Sequence, residues 1–147
     1  MTTQEDTGAY LEVQNLVKYF GNDRAVDDIS FSVPKGAFLT LLGPSGCGKT
    51  TTLMSVAGLH SIDGGRIRVG DVVYTSPSEG LFLPPEKRDI GMVFQSYAIW
   101  PHMTVAKNVA YPLEIRKVNQ SEIDDRVNEV LALVGLTAET DKLATNL

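Results

Sequence analysis

The sequence predicts an α/β fold: a strand, a glycine-rich loop and a helix form its core, with an antiparallel β region ahead and helices behind. Three observations carry this. Ala37 to Leu42 (AFLTLL) is a near-continuous apolar run, the pattern of a strand buried on both faces. The octapeptide Gly43-Pro44-Ser45-Gly46-Cys47-Gly48-Lys49-Thr50 follows at once. Lys49 to Ala57 then has helical character, with Leu53, Val56 and Ala57 on one face and Gly58 placed to cap it.

The other elements follow in chain order. Met1 to Tyr10 (MTTQEDTGAY) is polar and acidic, and residues 1–9 read as a disordered tail. Leu11 and Val13 begin a strand expected to break near Gln14-Asn15. Ile29, Phe31 and Val33 alternate with Asp28, Ser30 and Ser32, a half-exposed strand ended by Pro34. After the helix, Asp63-Gly64-Gly65 forms a turn. Ile67 and Val69 alternate with Arg66 and Arg68, and Gly70-Asp71 makes a two-residue hairpin turn into Val72 to Tyr74. A loop with Pro77, Gly80 and Pro84-Pro85 comes next, and Ile90 to Phe94 (IGMVF) reads as a second buried strand with Gln95 at its end. From Thr104 the pattern is helical. Ser121 and Asp124 resemble a capping box, and Ile123, Val127, Val130, Leu131 and Val134 form one apolar stripe closed by Gly135.

At 147 residues the chain is nominally one domain. Its 13 basic and 18 acidic side chains give −5, so no global field favours nucleic acid or anionic lipid. Cys47 is the only cysteine, which rules out an internal disulfide framework and suits a reducing cytoplasm. No apolar run approaches a membrane span, so no direct membrane insertion is expected and a membrane role would come through a partner.

The octapeptide fits G-x-x-x-x-G-K-[ST], the loop that wraps nucleotide phosphates in P-loop NTPases. Its glycines let the backbone turn tightly and approach an anion without a Cβ in the way. Successive N–H groups then point inward, and the helix N-terminus adds partial positive charge. Lys49 is expected to reach the β- and γ-phosphates, the Thr50 hydroxyl to ligate magnesium, and Thr51 to donate to the α-phosphate. The alternative, a glycine-rich turn before an ordinary helix, fails to explain the strand ahead of it. Cys47 fills a variable position of the motif, and its alkylation is expected to respond to ATP.

Around this loop, GPSGCGKTTTL (Gly43 to Leu53), AGL (Ala57 to Leu59) and GMVFQ (Gly91 to Gln95) resemble the ATPases of ATP-binding-cassette (ABC) transporters. PPEKRDIGMVFQSYAIWPHMTV (Pro84 to Val105) most resembles the importer subgroup for sugars, polyamines, iron or similar polar solutes. The likeness covers the chain after Ala9. It implies a nucleotide-binding domain with a β subdomain and P-loop core over 10–94, a Q-loop over 95–104 and the start of a helical subdomain over 105–147. It also implies ATP and Mg2+ as ligands and a cytoplasmic position on the inner face of the cell membrane. Phe20, just before Gly21, matches the residue that stacks on adenine, although Tyr19 beside it could play that part; such stacking contributes about 1–3 kcal/mol. Gln95 would contact magnesium or the attacking water, as a catalytic residue beside Lys49. The Gln95 to Thr104 loop would press against transmembrane permease subunits, and Trp100 either anchors that contact or covers the loop's own base. A second ATPase subunit, in a homodimer or pseudo-dimer, would face this one. His60 and His102 match no catalytic position of the family.

The departures from the family concern catalysis. No apolar run ending in Asp-Glu follows Gln95, and the LSGGQ signature, D-loop and switch histidine are absent. The chain is therefore expected to be an incomplete, N-terminal portion of such an ATPase, with a phosphate cradle but no general base and negligible hydrolysis of its own. Strands such as Phe38 to Leu42 are expected to expose an unpaired edge and apolar faces. Other functions fit less well. A GTPase would show D-x-x-G and N/T-K-x-D, and neither occurs; a DNA-repair ATPase would show heptads and a basic stripe, and neither occurs. A nucleotide-binding remnant that does not hydrolyse remains the alternative to the energising subunit.

Overall fold

A computed structural model describes residues 8–147, so the expected tail lies largely outside the described residues, and Ala9 already opens a strand. The chain divides into two compact units, one ending at Met92 and the other running Val93–Leu147.

The first unit is built on a five-stranded antiparallel sheet: β1 (Ala9–Phe20), β2 (Asp23–Pro34), β3 (Gly64–Val69), β4 (Val72–Ser76) and β5 (Leu81–Phe82), in the order β2-β1-β3-β4-β5. Two hairpins set its register. Phe20 pairs with Asp23 across Gly21-Asn22, and Val69 pairs with Val72 across the expected Gly70-Asp71 turn. The short β5 lies where the sequence suggested only a loop.

β1 does not stop at Gln14-Asn15; it continues through a bulge. Asn15 adopts φ +48, its N–H donates to Ser30 Oγ (2.8 Å) and its Nδ2 to Asp28 Oδ1 (2.8 Å), with Asp28 itself at φ +50. One extra residue flips the parity of the strand. Val13 points inward before the bulge, Leu16 and Lys18 after it. Lys18 is thus drawn under cover by register and finds Asp63 Oδ2 and Ser61 Oγ, each at 3.5 Å. Gly65 faces the bulge at φ +92, where a Cβ would lie 2.3 Å from Asn15 O.

Val13, Leu16, Val26, Ile62, Ile67 and Tyr74 form the core, with Ile29, Phe31 and Val56 packed on it. Helix α1 (Lys49–Ala57) contributes Val56 from one side. Its buried face is only partly the one expected: Val56 and Ala57 face the core side, but Leu53 does not. Leu53 is 53% exposed, whereas Thr52, Ser55 and Ala57 are buried. Two hydroxyls can go inside because each returns to a carbonyl one turn back: Thr52 Oγ1 to Gly48 O (2.9 Å) and Ser55 Oγ to Thr51 O (2.8 Å).

Neither of the two predicted buried strands forms. Residues 37–42 and 90–94 have no strand conformation, and Phe38, Leu42 and Val93 are 95%, 96% and 97% exposed. A strand buried on both faces needs ladder partners and covering layers supplied from elsewhere in the chain. Among the described residues neither run has them.

The second unit pairs α2 (Val105–Ile115) with α3 (Gln120–Leu133) over Val105, Ala110, Ile123, Val127 and Leu131. Thr104 caps α2 by accepting from Lys107 N–H (3.2 Å). α3 is capped by Asn119, accepting from Glu122 N–H at 2.9 Å, two residues ahead of the expected Ser121. Of the predicted stripe, Ile123, Val127 and Leu131 are buried while Val130 and Val134 are exposed. Gly135 at φ +72 ends the helix, with Leu136 N–H reaching back to Leu131 O (2.8 Å).

Candidate functional site

The loop that precedes α1 is shaped by its glycines. Cys47 N–H closes a turn on Pro44 O (3.4 Å), and Gly46 and Gly48 sit at φ +81 and +90. Gly48 is the N-cap of α1 and lies against β2, where a Cβ would come 2.5 Å from Ala25 O. Only glycine fits there, on backbone and on space alike.

The first helical hydrogen bond runs from Thr52 N–H to Gly48 O (2.8 Å). Among the described residues, no backbone acceptor meets the N–H groups of Gly48, Lys49, Thr50 and Thr51. These are the orphan donors that every helix start leaves. They border a cavity of about 280 Å³ walled by Ala25, Ser45, Gly46, Gly48, Lys49, Thr50 and Thr51. A second cavity of about 640 Å³ adjoins the other side of the same loop, adding Arg24, Asp27, Thr40 to Leu42 and Thr52.

Lys49 lies across the loop. Its Nζ donates to Gly43 O (2.7 Å) and Pro44 O (2.6 Å) and sits 3.4 Å from Cys47 Sγ. No ion pair among the described residues involves it. A cation held only by neutral oxygens beside a row of free amides suits an anion with several oxygens, since charge-assisted bonds are about twice as strong as neutral ones. Ser45, Gly46, Gly48, Lys49, Thr50 and Thr51 thus share one cavity wall; Cys47 lines the second cavity, and Gly43 and Pro44 meet the site only through their carbonyls on Lys49.

Phe20 stands apart from it. The ring is 46% exposed at the end of β1, with the His60 ring edge-on at 5.2 Å and Lys18 Nζ 5.3 Å from its centroid. It borders neither cavity. His60, expected to be simply solvated, is half-buried against that ring. Tyr19 is engaged elsewhere: its hydroxyl accepts from Arg24 Nε (2.8 Å), and its N–H donates to Asp63 Oδ2 (2.6 Å). Hydrogen bonds to Tyr19, then to Asp27, hold the Arg24 guanidinium above its ordinary pKa.

Gln95 belongs to the second unit, exposed in a turn that precedes Tyr97 (φ +62) and Ala98 (φ +49). The loop's far end is organised by Asn108, a residue the sequence did not single out. Its Oδ1 accepts from Trp100 N–H (2.7 Å), and its Nδ2 donates to Thr104 O (2.9 Å), Trp100 O and Met103 O. The Trp100 ring packs on Tyr111 (5.4 Å) and His102 (6.3 Å) while remaining 46% exposed, so it covers its own loop in part.

Arg88 was also missed. In KRDI it reads as one more surface charge, yet only 4% of it is exposed. No sequence signal distinguishes it from Lys87 beside it. Among the described residues there is no group of three or more His, Cys, Asp or Glu able to hold a metal. Among the described residues no helix is long and apolar enough to cross a membrane.

The ABC transporter family profile matches residues 26–147. The trehalose/maltose import ATP-binding protein MalK of Thermococcus litoralis is 56% identical over 129 residues, covering 88% of this chain and 35% of MalK. The spermidine/putrescine import ATP-binding protein PotA of Thermotoga maritima is 39% identical over 140 residues, 95% of this chain and 36% of its own. The Fe(3+) ions import ATP-binding protein FbpC 1 of Pectobacterium atrosepticum is 42% identical over 142 residues, 97% of this chain and 39% of its own. The chain thus spans between a third and two fifths of the length of these curated relatives. It belongs to the ABC transporter family.

Proposed function

We propose that this chain binds the phosphates of ATP through Gly43, Pro44, Ser45, Gly46, Cys47, Gly48, Lys49, Thr50 and Thr51, as part of the ATP-binding subunit of an importer for a polar solute. The observation that carries the reading is Lys49: an ammonium without a carboxylate partner, beside free amides on a loop that admits only glycine at 48. A triphosphate tail would replace the carbonyls of Gly43 and Pro44 with charged oxygens and accept from the amides of α1. The residues fit that anion, and they fit magnesium only alongside it. Thr50 would supply one oxygen, and among the described residues no carboxylate cluster could hold the ion alone. When bound, the metal would supply charge neutralisation on the phosphates.

The chain's own residues bind and orient. Lys49 stabilises charge on the terminal phosphates, Gln95 orients water, and an aromatic at the hairpin tip, Phe20, offers a platform for the base. The cavity bordered by the α1 amides has no carboxylate in its wall, so the chain by itself is expected to bind without appreciable turnover. The printed names of the relatives support the importer assignment. In that assignment the Gln95–Thr104 loop meets transmembrane permease subunits on the cytoplasmic side of the membrane, and a second ATPase subunit completes the site.

Lys49→Ala tests the reading. Binding of ATP·Mg2+, followed by calorimetry on the 147-residue chain, is expected to fall at least about tenfold, since a hydrogen bond to a charged group contributes about 1.5–3 kcal/mol. Unchanged affinity at an unchanged melting temperature would sink it.

A further inference from the structure

Arg88 is a buried cation with no anionic partner among the described residues. It follows the short turn Pro85–Lys87, and its guanidinium reaches three separate parts of the first unit. Nε donates to Leu83 O (2.7 Å); Nη1 donates to Ser55 O (2.9 Å) and Val56 O (2.7 Å); Nη2 donates to Thr75 Oγ1 (2.7 Å) and Tyr74 O (3.3 Å). The rings of Tyr74 and Phe82 lie 5.2 and 5.3 Å from its Cζ. No ion pair among the described residues includes it, and desolvation lowers its pKa from the ordinary guanidinium range.

Burying a charge is unfavourable, and well-packed apolar residues often stabilise a fold as well as a buried ionic group does. The guanidinium therefore has to supply something an apolar side chain cannot. Its Nη1 partners are carbonyls of the last turn of α1, at the negative pole of the helix: Ser55 O, which also accepts from Gly58 N–H (3.1 Å), and Val56 O. Gly58 agrees with this: at φ +81, a Cβ there would lie 2.6 Å from Arg88 Cζ. The opposite pole of the same nine-residue helix carries Gly48 and the free amides of the loop. About two and a half helical turns separate the two ends, so a shift at one is passed to the other.

We propose that Arg88 is a positioning residue for the phosphate loop: by gripping the C-terminal carbonyls of α1 and tying them to β4, it fixes where the helix presents its N-terminal amides. The assignment rests on reading Gly43–Thr51 as a phosphate site. Arg88→Lys keeps the charge but not the planar fork; Arg88→Met removes both. Ile67→Val, in the core of the same unit, serves as a destabilised control. Affinity for magnesium tripolyphosphate is measured by calorimetry at a low temperature where circular dichroism shows equal folded fractions, together with hydrogen exchange of the amides from Thr52 to Ala57. Arg88→Met is expected to bind about tenfold more weakly or worse, as small misplacements of a binding array do, and to exchange faster through α1. Arg88→Lys falls between it and the parent, and carries the test if Arg88→Met does not fold. Ile67→Val keeps its affinity within about twofold. An Arg88 variant that melts earlier but binds like the parent, or an Ile67→Val loss of equal size, overturns the proposal. If the parent and Lys49→Ala both fail to bind, the phosphate reading falls and takes this assignment with it; when Arg88 alone is misassigned, the parent still binds.

Discussion

Two kinds of strand-forming sequence in the first unit met different fates. The alternating segments 9–20, 23–34, 64–69 and 72–76 all became strands, and each lies beside its partner through a hairpin or a short return. The continuous apolar segments 37–42 and 90–94 did not, and three of their side chains are almost wholly exposed. Apolarity does not separate them; the supply of partners does. An antiparallel pair joined by a two-residue turn satisfies its backbone at once. A strand destined for burial on both faces forms only when distant segments flank and cover it.

Core deletions should show that difference most strongly. Ile67→Ala removes a side chain with no exposure and is expected to destabilise the first unit by about 2–5 kcal/mol. Phe38→Ser should change stability by no more than about 0.5 kcal/mol and reduce binding of a hydrophobic dye. Denaturant melts followed through the sheet check both; equal losses would mean that residues 37–42 are packed in solution.

Gly48→Ala probes where the loop meets the sheet. The new Cβ meets Ala25 O on β2, and φ +90 is unfavourable for alanine, so a loss of about 1–3 kcal/mol is expected with weaker ATP binding. An alanine variant that binds normally would detach the loop from β2.

The smallest effect tests the sheet's exposed face. Arg68 donates to Glu12 Oε2 from Nη2 (2.8 Å) and Nε (3.1 Å), and Gln14 Nε2 donates to Oε1 (2.9 Å). The Arg68 hydrogen bond leads in holding the Glu12 carboxyl below its ordinary value of 4.5. A depressed carboxylate stabilises the fold fully above the unfolded value, and that stability is lost as pH falls through the lower folded value. Glu12→Gln should therefore lower stability at pH 7 by less than about 1 kcal/mol, and the gap from the parent should close below about pH 4. A gap that persists at pH 3 would show that packing, not charge, is involved.

Much of this was legible from local pattern. The Gly70-Asp71 turn, the face of Ile29, Phe31 and Val33, the helix from Lys49 and the left-handed glycines ahead of it all follow from short-range rules, and all are present. The bulge at Asn15 was misread as a strand end because the interruption of alternation is the same in both cases. Leu53 was assigned to the buried face because apolarity outweighed the ability of Thr52 and Ser55 to satisfy their own hydroxyls.

By itself, the sequence determined the hairpins, the glycine loop and its lysine, because each depends on torsional preferences and contacts a few residues apart. Tertiary structure alone decided that Arg88 goes inside and Leu53 stays out, that Lys18 lies under cover, and that residues 37–42 remain without a ladder. Those outcomes depend on which distant carbonyls, carboxylates and strand edges arrive beside a residue. A one-dimensional pattern carries no record of that.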